Sequence, residues 1–176
     1  MKKHLKAAIL ELCVSLIIAT IFLTIYNDMN PPAKPTNKTS NLLVVSSYSN
    51  HAWSYTFSGT AIFSDGSIYT WKENNYSNVE NYNLETPEGL KQYILKNGKL
   101  QSKEISDNDL TKIENYINKI KNEIVLSYPS SDFGTSIISI YNNNDEKINI
   151  KYSGDTVGIN QTYEAQELLK LLEKYL

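Results

Sequence analysis

The stretch Thr60–Trp71 reads Thr-Ala-Ile-Phe-Ser-Asp-Gly-Ser-Ile-Tyr-Thr-Trp, and it predicts a β-hairpin. Asp65-Gly66 is a dipeptide that turns a chain within two residues, because glycine adopts a positive φ without steric penalty. The β-branched and aromatic residues on both sides are typical of paired strands. A two-residue loop predicts the pairs Phe63–Ile68, Ile62–Tyr69 and Thr60–Trp71.

This register divides the hairpin between two faces. The face predicted to enter the core carries Trp53, Tyr55, Phe57, Ala61, Phe63 and Ile68. The opposite face carries the candidate partner-binding residues Thr60, Ile62, Tyr69 and Trp71, because exposed Trp and Tyr beside hydroxyls favour protein or glycan recognition. The alternative is that a helix or the Tyr76–Tyr82 loop covers this second face. Gly59 indicates a β-bulge, which would change the register of the earlier half.

Outward from the hairpin, the pattern predicts one strand before it and two helices after it. The first strand is Leu42–Tyr48, and the polar segment Lys72–Glu85 predicts a loop. Thr86 and Pro87 open a short helix that Asn97-Gly98 closes. Ser106 caps a second helix, whose apolar side has 3,4,3,4 spacing. That side consists of Leu110, Ile113, Ile117, Ile120 and Ile124, and a coiled-coil strip is its alternative interpretation.

The last third predicts a second hairpin and a final helix. Its strands are Ser136–Tyr141 and Lys147–Tyr152, and Gly154–Gly158 predicts a loop. A broad apolar stripe from Ala165 to Leu176 indicates a helix packed deeply on the sheet. The order βββ–α–α–ββ–α predicts an α+β fold with a mostly antiparallel sheet, packed by two or three helices.

The N-terminus predicts a membrane anchor. Residues 7–26 are apolar except for Glu11, and as a helix they would span roughly 30 Å, the thickness of a bilayer core. The run ends in bulky residues where a signal peptidase needs small ones, so an uncleaved anchor is favoured over a cleaved signal peptide. Lysines precede the run, which places a cytoplasmic tail at 1–6, a stalk at 27–41 and an extracytoplasmic domain at 42–176.

The amino-acid composition indicates which classes of partner are disfavoured. The chain has 17 lysines and no arginine. The part after the predicted anchor has 14 lysines and 18 acidic residues, which gives it a net charge of −4. A nucleic-acid partner is therefore disfavoured, since it calls for a basic face. The bias towards residues with AT-rich codons indicates a low-GC, Gram-positive bacterium. The single cysteine, Cys13, lies in the anchor, so the outer domain is expected to fold without disulfides.

Catalytic and metal motifs are weak. His51 could join a nearby serine and Asp132 or Asp155 in a triad, but no G-x-S-x-G pattern supports it. Asp132 and Asp155 could also form a glycosidase pair. The alternation Asn142, Asn144, Glu146 suits a hairpin turn better than a calcium loop, because the turn glycine and distal Glu are missing. No cofactor motif is present.

These observations predict a membrane-tethered, extracytoplasmic binding or accessory module without catalytic activity. Residues 7–26 would contact the membrane, and an envelope protein or glycan is the expected partner. The alternative is an envelope hydrolase whose site is assembled only in the fold.

The topology is testable with intact protoplasts. External protease should remove the C-terminal domain and leave a small membrane-bound stub, because the lysines hold the N-terminus in the cytoplasm. Immunoblotting with antibodies to the domain measures its loss. A protected domain would overturn the orientation, and a mature chain that starts near Asn27 would show cleavage.

Overall fold

The computed structural model describes residues 40–51, 54–128 and 134–176, which form an eight-stranded antiparallel sheet with three α-helices. The strands are β1 Leu42–Asn50, β2 Thr56–Phe63, β3 Ile68–Glu73, β4 Lys99–Leu100, β5 Ile124–Ser127, β6 Thr135–Tyr141, β7 Lys147–Gly154 and β8 Val157–Asn160. The helices are α1 Pro87–Asn97, α2 Asp107–Ile117 and α3 Tyr163–Leu172, and a 3-10 turn covers Tyr76–Asn78. The strand order in the sheet is β4-β3-β2-β1-β6-β7-β8-β5.

The hairpin of β2 and β3 forms, but its predicted register is wrong by one residue. The loop has three residues, because the Phe63 amide donates to the Ser67 carbonyl at 3.0 Å and the Gly66 amide donates to the Phe63 carbonyl at 2.9 Å. Gly66 has φ 81°, the left-handed conformation that such a loop needs at its last residue. The observed pairs are Ile62–Ile68, Ala61–Tyr69, Thr60–Thr70 and Gly59–Trp71.

A one-residue slip moves side chains to the other face, because the side-chain period of a strand is two. Tyr69 and Trp71 therefore share a face with the predicted core residues Phe57, Ala61 and Phe63. Ile68, which was predicted on that face, instead belongs to the cluster on the opposite face, together with Ile62.

Gly59 is not a bulge, since the pairing of β2 with β3 continues through it. Its missing side chain leaves room for the Trp71 ring: a Cβ at Gly59 would lie 2.5 Å from Trp71 Cζ2. Trp71 Nε1 has no hydrogen-bond partner within the described residues, so packing holds this ring in place. Trp53, the first residue of the predicted core face, lies outside the described residues.

Helices cover both faces of the sheet. Helices α2 and α3 pack against each other and over the cluster that contains Ile62, Ile113 and Leu168. Helix α1 and the chain before it cover the cluster of Phe57, Trp71 and Tyr93. Both faces of β1 are buried, as the adjacent residues Val44 and Val45 show: the first joins one cluster and the second the other.

The predicted helix starts are confirmed. Thr86 Oγ1 accepts the Gly89 amide at 3.2 Å, and Ser106 Oγ accepts the Asp109 amide at 3.2 Å. Asp109 also accepts hydrogen bonds from Tyr175 Oη at 2.8 Å and Lys174 Nζ at 3.2 Å, and these bonds lower the pKa of its carboxyl. The C-terminus is thereby tied to the first turn of α2.

Three short strands were missed, and three predicted boundaries were wrong. The helix predicted through Ile124 ends at Ile117, and Ile124 begins β5. The segment predicted as the loop Gly154–Gly158 contains the start of β8, which pairs with both β7 and β5. The final helix ends at Leu172, before the predicted end of its stripe. The fold is a mixed α/β architecture with strand and helix order βββ–α–β–α–ββββ–α.

The N-terminal predictions lie mostly outside the described residues. This holds for the anchor at 7–26 and for residues 27–39 of the stalk. Within the described residues no helix is long and apolar enough to cross a membrane. The last two residues of the predicted stalk contact the hairpin turn: Ser40 Oγ donates to Asp65 Oδ2 at 2.9 Å, and the Asn41 amide donates to Ser64 Oγ at 2.9 Å.

Replacing Trp71 by alanine should lower the free energy of unfolding by about 3–5 kcal/mol, because it empties a packed site in the core. Urea unfolding of the full-length protein in detergent, followed by circular dichroism, measures the change. The neighbouring exposed change Lys72→Ala should stay within about 0.5 kcal/mol of wild type. Equal stability of the two variants would contradict the buried position of Trp71.

Candidate functional site

The four predicted partner-binding residues do not form an exposed patch. Thr60 and Ile62 lie on one face of the sheet, and Tyr69 and Trp71 lie on the other. Ile62 is 0% exposed, Tyr69 8% and Trp71 6%, because helices cover both faces. The exposed surface expected from the two-residue turn is therefore absent from the described hairpin.

A cleft of about 360 Å³ lies instead on the face that α1 covers in part. Its floor is made by the two central strands of the sheet, β1 and β6. From β1 it receives Val45, Ser47 and Ser49, and from β6 Ile137, Ser139 and Tyr141. The register alternates apolar and hydroxyl-bearing side chains across the floor, since Val45 pairs with Ser139 and Ser47 with Ile137.

The space exists because three of the six floor side chains are serines, which are short. On the same face, β2 and β3 present Phe57, Tyr69 and Trp71, and these large rings fill the volume beneath α1. Serines occupy the equivalent places on β1 and β6, and a serine side chain cannot reach the covering layer. Ser139 Oγ donates to Asn149 Oδ1 at 2.7 Å, which ties it to β7.

The wall of the cleft is loop 74–86, the chain that connects β3 to α1. Tyr76 stands at its rim with 57% of its surface exposed. The Tyr76 ring meets the edge of Tyr55 at 5.3 Å, and Tyr55 meets His51 at 5.3 Å. These three rings form a continuous aromatic rail along one side of the cleft. The pKa of Tyr55 is raised by burial and then by the charge of Glu73.

Glu73, the last residue of β3, holds the start of loop 74–86. Its Oε1 accepts the amides of Asn74 and Asn75, both at 2.8 Å, and its Oε2 accepts Asn78 Nδ2 at 2.9 Å. The hydrogen bond from Asn78, followed by those from the two amides, lowers the pKa of the Glu73 carboxyl. The short turn that carries Tyr76 is thus fixed from both sides by one carboxylate.

The far end of loop 74–86 is fixed against α1. Thr86 Oγ1 donates to the Asn83 carbonyl at 2.9 Å, and Gly89 lets this carbonyl approach where any side chain would collide. Val79 is buried in the core, and Tyr82 packs edge-on against Tyr93 at 5.4 Å. The wall is therefore part of the folded core rather than a loose flap.

The charges of the cleft are few and of mixed sign. Glu80, Glu85 and Lys147 line it, so the carboxylates outnumber the lysines by one. Burial, followed by the charge of Glu85, raises the pKa of Tyr141 to about 12. Tyr141 therefore stays protonated at neutral pH and offers a hydroxyl at the floor.

A histidine, three serines and two glutamates share this cleft, which the sequence did not reveal. Within the described residues no hydrogen bond links His51 to Ser47, Ser49 or either glutamate, so no assembled triad is visible. Asp155 Oδ2 accepts the Gly134 amide at 3.1 Å and is not among the residues that line the cleft. Asp132, the alternative to Asp155 in the triad and its partner in the glycosidase pair, lies outside the described residues.

The suspected calcium residues form a turn. Asn142 Oδ1 accepts the amides of Asn144 and Glu146 at 2.9 and 3.0 Å, which is the hairpin interpretation made from the sequence. No group of three or more His, Cys, Asp or Glu side chains that could hold a metal ion occurs in the described part of the chain.

Comparisons with known protein families, curated proteins and solved structures found no match. The cleft is therefore the feature of the described residues that bears on function. One local signal for it was present in the sequence: Ser47 and Ser49 alternate on β1, as Ser139 and Tyr141 do on β6. Nothing local showed that loop 74–86 would fold back over them.

The Glu73 contacts predict a pH-dependent contribution to stability. Because its folded-state pKa is lowered, the stabilisation is present above the unfolded pKa of about 4.3 and is lost as the pH falls through the folded value. Glu73→Gln should therefore unfold at lower urea than wild type at pH 7, and the difference should shrink in acid.

Circular dichroism at several pH values measures this difference. Glu104→Gln, which changes an exposed carboxylate far from the cleft, should show no such loss at pH 7. Equal unfolding of wild type and Glu73→Gln at pH 7 would contradict the role of Glu73.

Proposed function

We propose that the chain is a membrane-tethered, extracytoplasmic binding module of a low-GC Gram-positive bacterium, and that the cleft takes its ligand. In this proposal residues 7–26 anchor the chain, 27–41 form a stalk, and the α+β domain of 42–176 faces the envelope. The single observation that carries the proposal is the cleft itself, with hydroxyls on its floor and an aromatic rail at its rim.

The dimensions and chemistry of the cleft support binding. Small-molecule sites have volumes of about 300–1,000 Å³ and combine apolar walls with a few polar groups. The cleft lies at the lower end of that range and has this mixture. Its wall is fixed at both ends before any ligand arrives, so little ordering would be lost on binding.

An envelope hydrolase is the second candidate, because His51, Glu80 and Glu85 line the same cleft. A general acid and base must lie within reach of one reacting atom, and two carboxylates can serve that role in glycoside hydrolysis. Binding is favoured over hydrolysis because no hydrogen bond positions His51 against a described nucleophile.

The two candidates separate in one sedimentation experiment. Full-length protein in detergent is mixed with insoluble envelope material from the source bacterium, and the pellet and the released fragments are both measured. A binding module should enter the pellet without releasing fragments. Ser47→Phe should abolish sedimentation, because the larger ring fills the cleft from its floor.

The matched control is Ser153→Phe, the same change at an exposed position outside the cleft lining. It should sediment as wild type does. Soluble fragments whose release stops in His51→Gln or in Glu80→Gln would establish the hydrolase instead. Equal sedimentation of Ser47→Phe and wild type would overturn the cleft as the binding site.

A further inference from the structure

We infer that the ligand of the cleft is a neutral saccharide, and that Tyr76 is the platform on which a sugar ring stacks. This inference rests on the proposed function and adds the chemical class of the ligand. It follows from four properties of the cleft: its exposed ring, its hydroxyl floor, its charge and its position in the sheet.

The rim offers a flat surface of the right polarity. A tyrosine face carries negative charge density and attracts the weakly positive C–H groups of a sugar ring. Tyr76 exposes 57% of its surface at this rim, and its neighbour Tyr55 supports it edge-on from behind. Glu73 holds the backbone of this turn, so the ring is presented in one place.

The floor offers hydroxyl groups, which can both donate and accept hydrogen bonds. Ser47 and Ser49 lie two residues apart on β1 and line the cleft, and within the described residues their hydroxyls have no recorded side-chain partner. Tyr141 also lines the cleft and adds a third hydroxyl, which is protonated at neutral pH as tyrosine ordinarily is. Sugar hydroxyls have the same dual character, so either partner of each hydrogen bond can be the donor.

The charge of the lining disfavours anionic ligands. Glu80 and Glu85 outnumber Lys147, so a phosphate-rich polymer would meet net repulsion in the cleft. No arginine exists in the chain to grip a phosphate or carboxylate in bidentate fashion. A neutral ligand avoids this repulsion and still uses the hydroxyls.

The position of the floor disfavours an extended peptide. Peptides are often captured by adding a strand to a free sheet edge, where backbone groups await partners. Strands β1 and β6 are central, and each is paired on both sides, β1 with β2 and β6, and β6 with β1 and β7. Their backbone groups are therefore engaged, and only side chains can hold the ligand.

The test is calorimetric titration of the full-length protein in a detergent without a sugar headgroup. The probes are tri-N-acetylglucosamine, maltotriose, a capped alanine pentapeptide and glycerol phosphate. At least one of the two saccharides should bind saturably, and the pentapeptide and glycerol phosphate should not. Tyr76→Ala should weaken saccharide binding by about tenfold or more, since it removes an aromatic anchor.

Two variants make the result specific. Tyr76→Phe keeps the ring and should retain most of the affinity. Tyr163→Ala removes another exposed tyrosine, 69% exposed at the start of α3 and outside the cleft lining, and should bind as wild type does. Equal weakening by Tyr76→Ala and Tyr163→Ala would overturn the platform.

Failure of the ligand class is distinguishable from failure of the proposed function. Binding of neither saccharide overturns the inference, and so does saturable binding of the pentapeptide or glycerol phosphate. If Ser47→Phe still abolishes sedimentation with the envelope in that case, the binding module stands and only the ligand class is wrong. If wild type does not sediment either, both fail.

Discussion

The turn Ser64–Gly66 is the constraint on which the arrangement of this sheet depends. Gly66 adopts a positive φ that gives the loop three residues, and that length alone decides which side chains of β2 and β3 share a face. Other contacts hold the turn: Asp65 Oδ1 accepts Ser67 Oγ at 2.7 Å, and the Ile105 amide donates to the Gly66 carbonyl at 3.2 Å. The burial of Trp71 and the aromatic layer beside the cleft follow from this register.

Much of the fold could be predicted from local chemistry. Caps at Thr86 and Ser106 act within one helical turn, so the sequence places both helix starts correctly. The errors arise where long-range pairing decides. Asp-Gly suits a two-residue loop, but it can also stand at the end of a three-residue loop. Ile124 continues the 3,4 spacing of the preceding helix, but it belongs to a strand that pairs with β8. The strand Ile124–Ser127 has only four residues, too few to show a clear alternation of apolar and polar side chains in the sequence.

The cleft was harder to predict than the fold, for a related reason. Its hydroxyl groups come from Ser47 and Ser49 on β1 and from Ser139 and Tyr141 on β6, and these two strands are neighbours only in the folded sheet. Its wall is a polar, Asn-rich segment, which by composition predicts only a loop. The residues that fix this wall, such as Glu73 and Gly89, work through backbone contacts across several residues. No single motif therefore marks the site, and three of the four partner-binding residues predicted from the hairpin, Ile62, Tyr69 and Trp71, belong to the core.

The way the wall is held has a consequence for recognition. Loop 74–86 is ordered by a carboxylate at one end and by a helix cap and a close glycine contact at the other. The conformational entropy of this segment is lost when the domain folds, so a ligand does not have to order it again. A small site with few charges gains little affinity from electrostatics, and its binding depends on a preformed shape. Such a cleft suits a weak, repeated encounter with an abundant ligand, which is what the proposed tether beside an envelope polymer would provide.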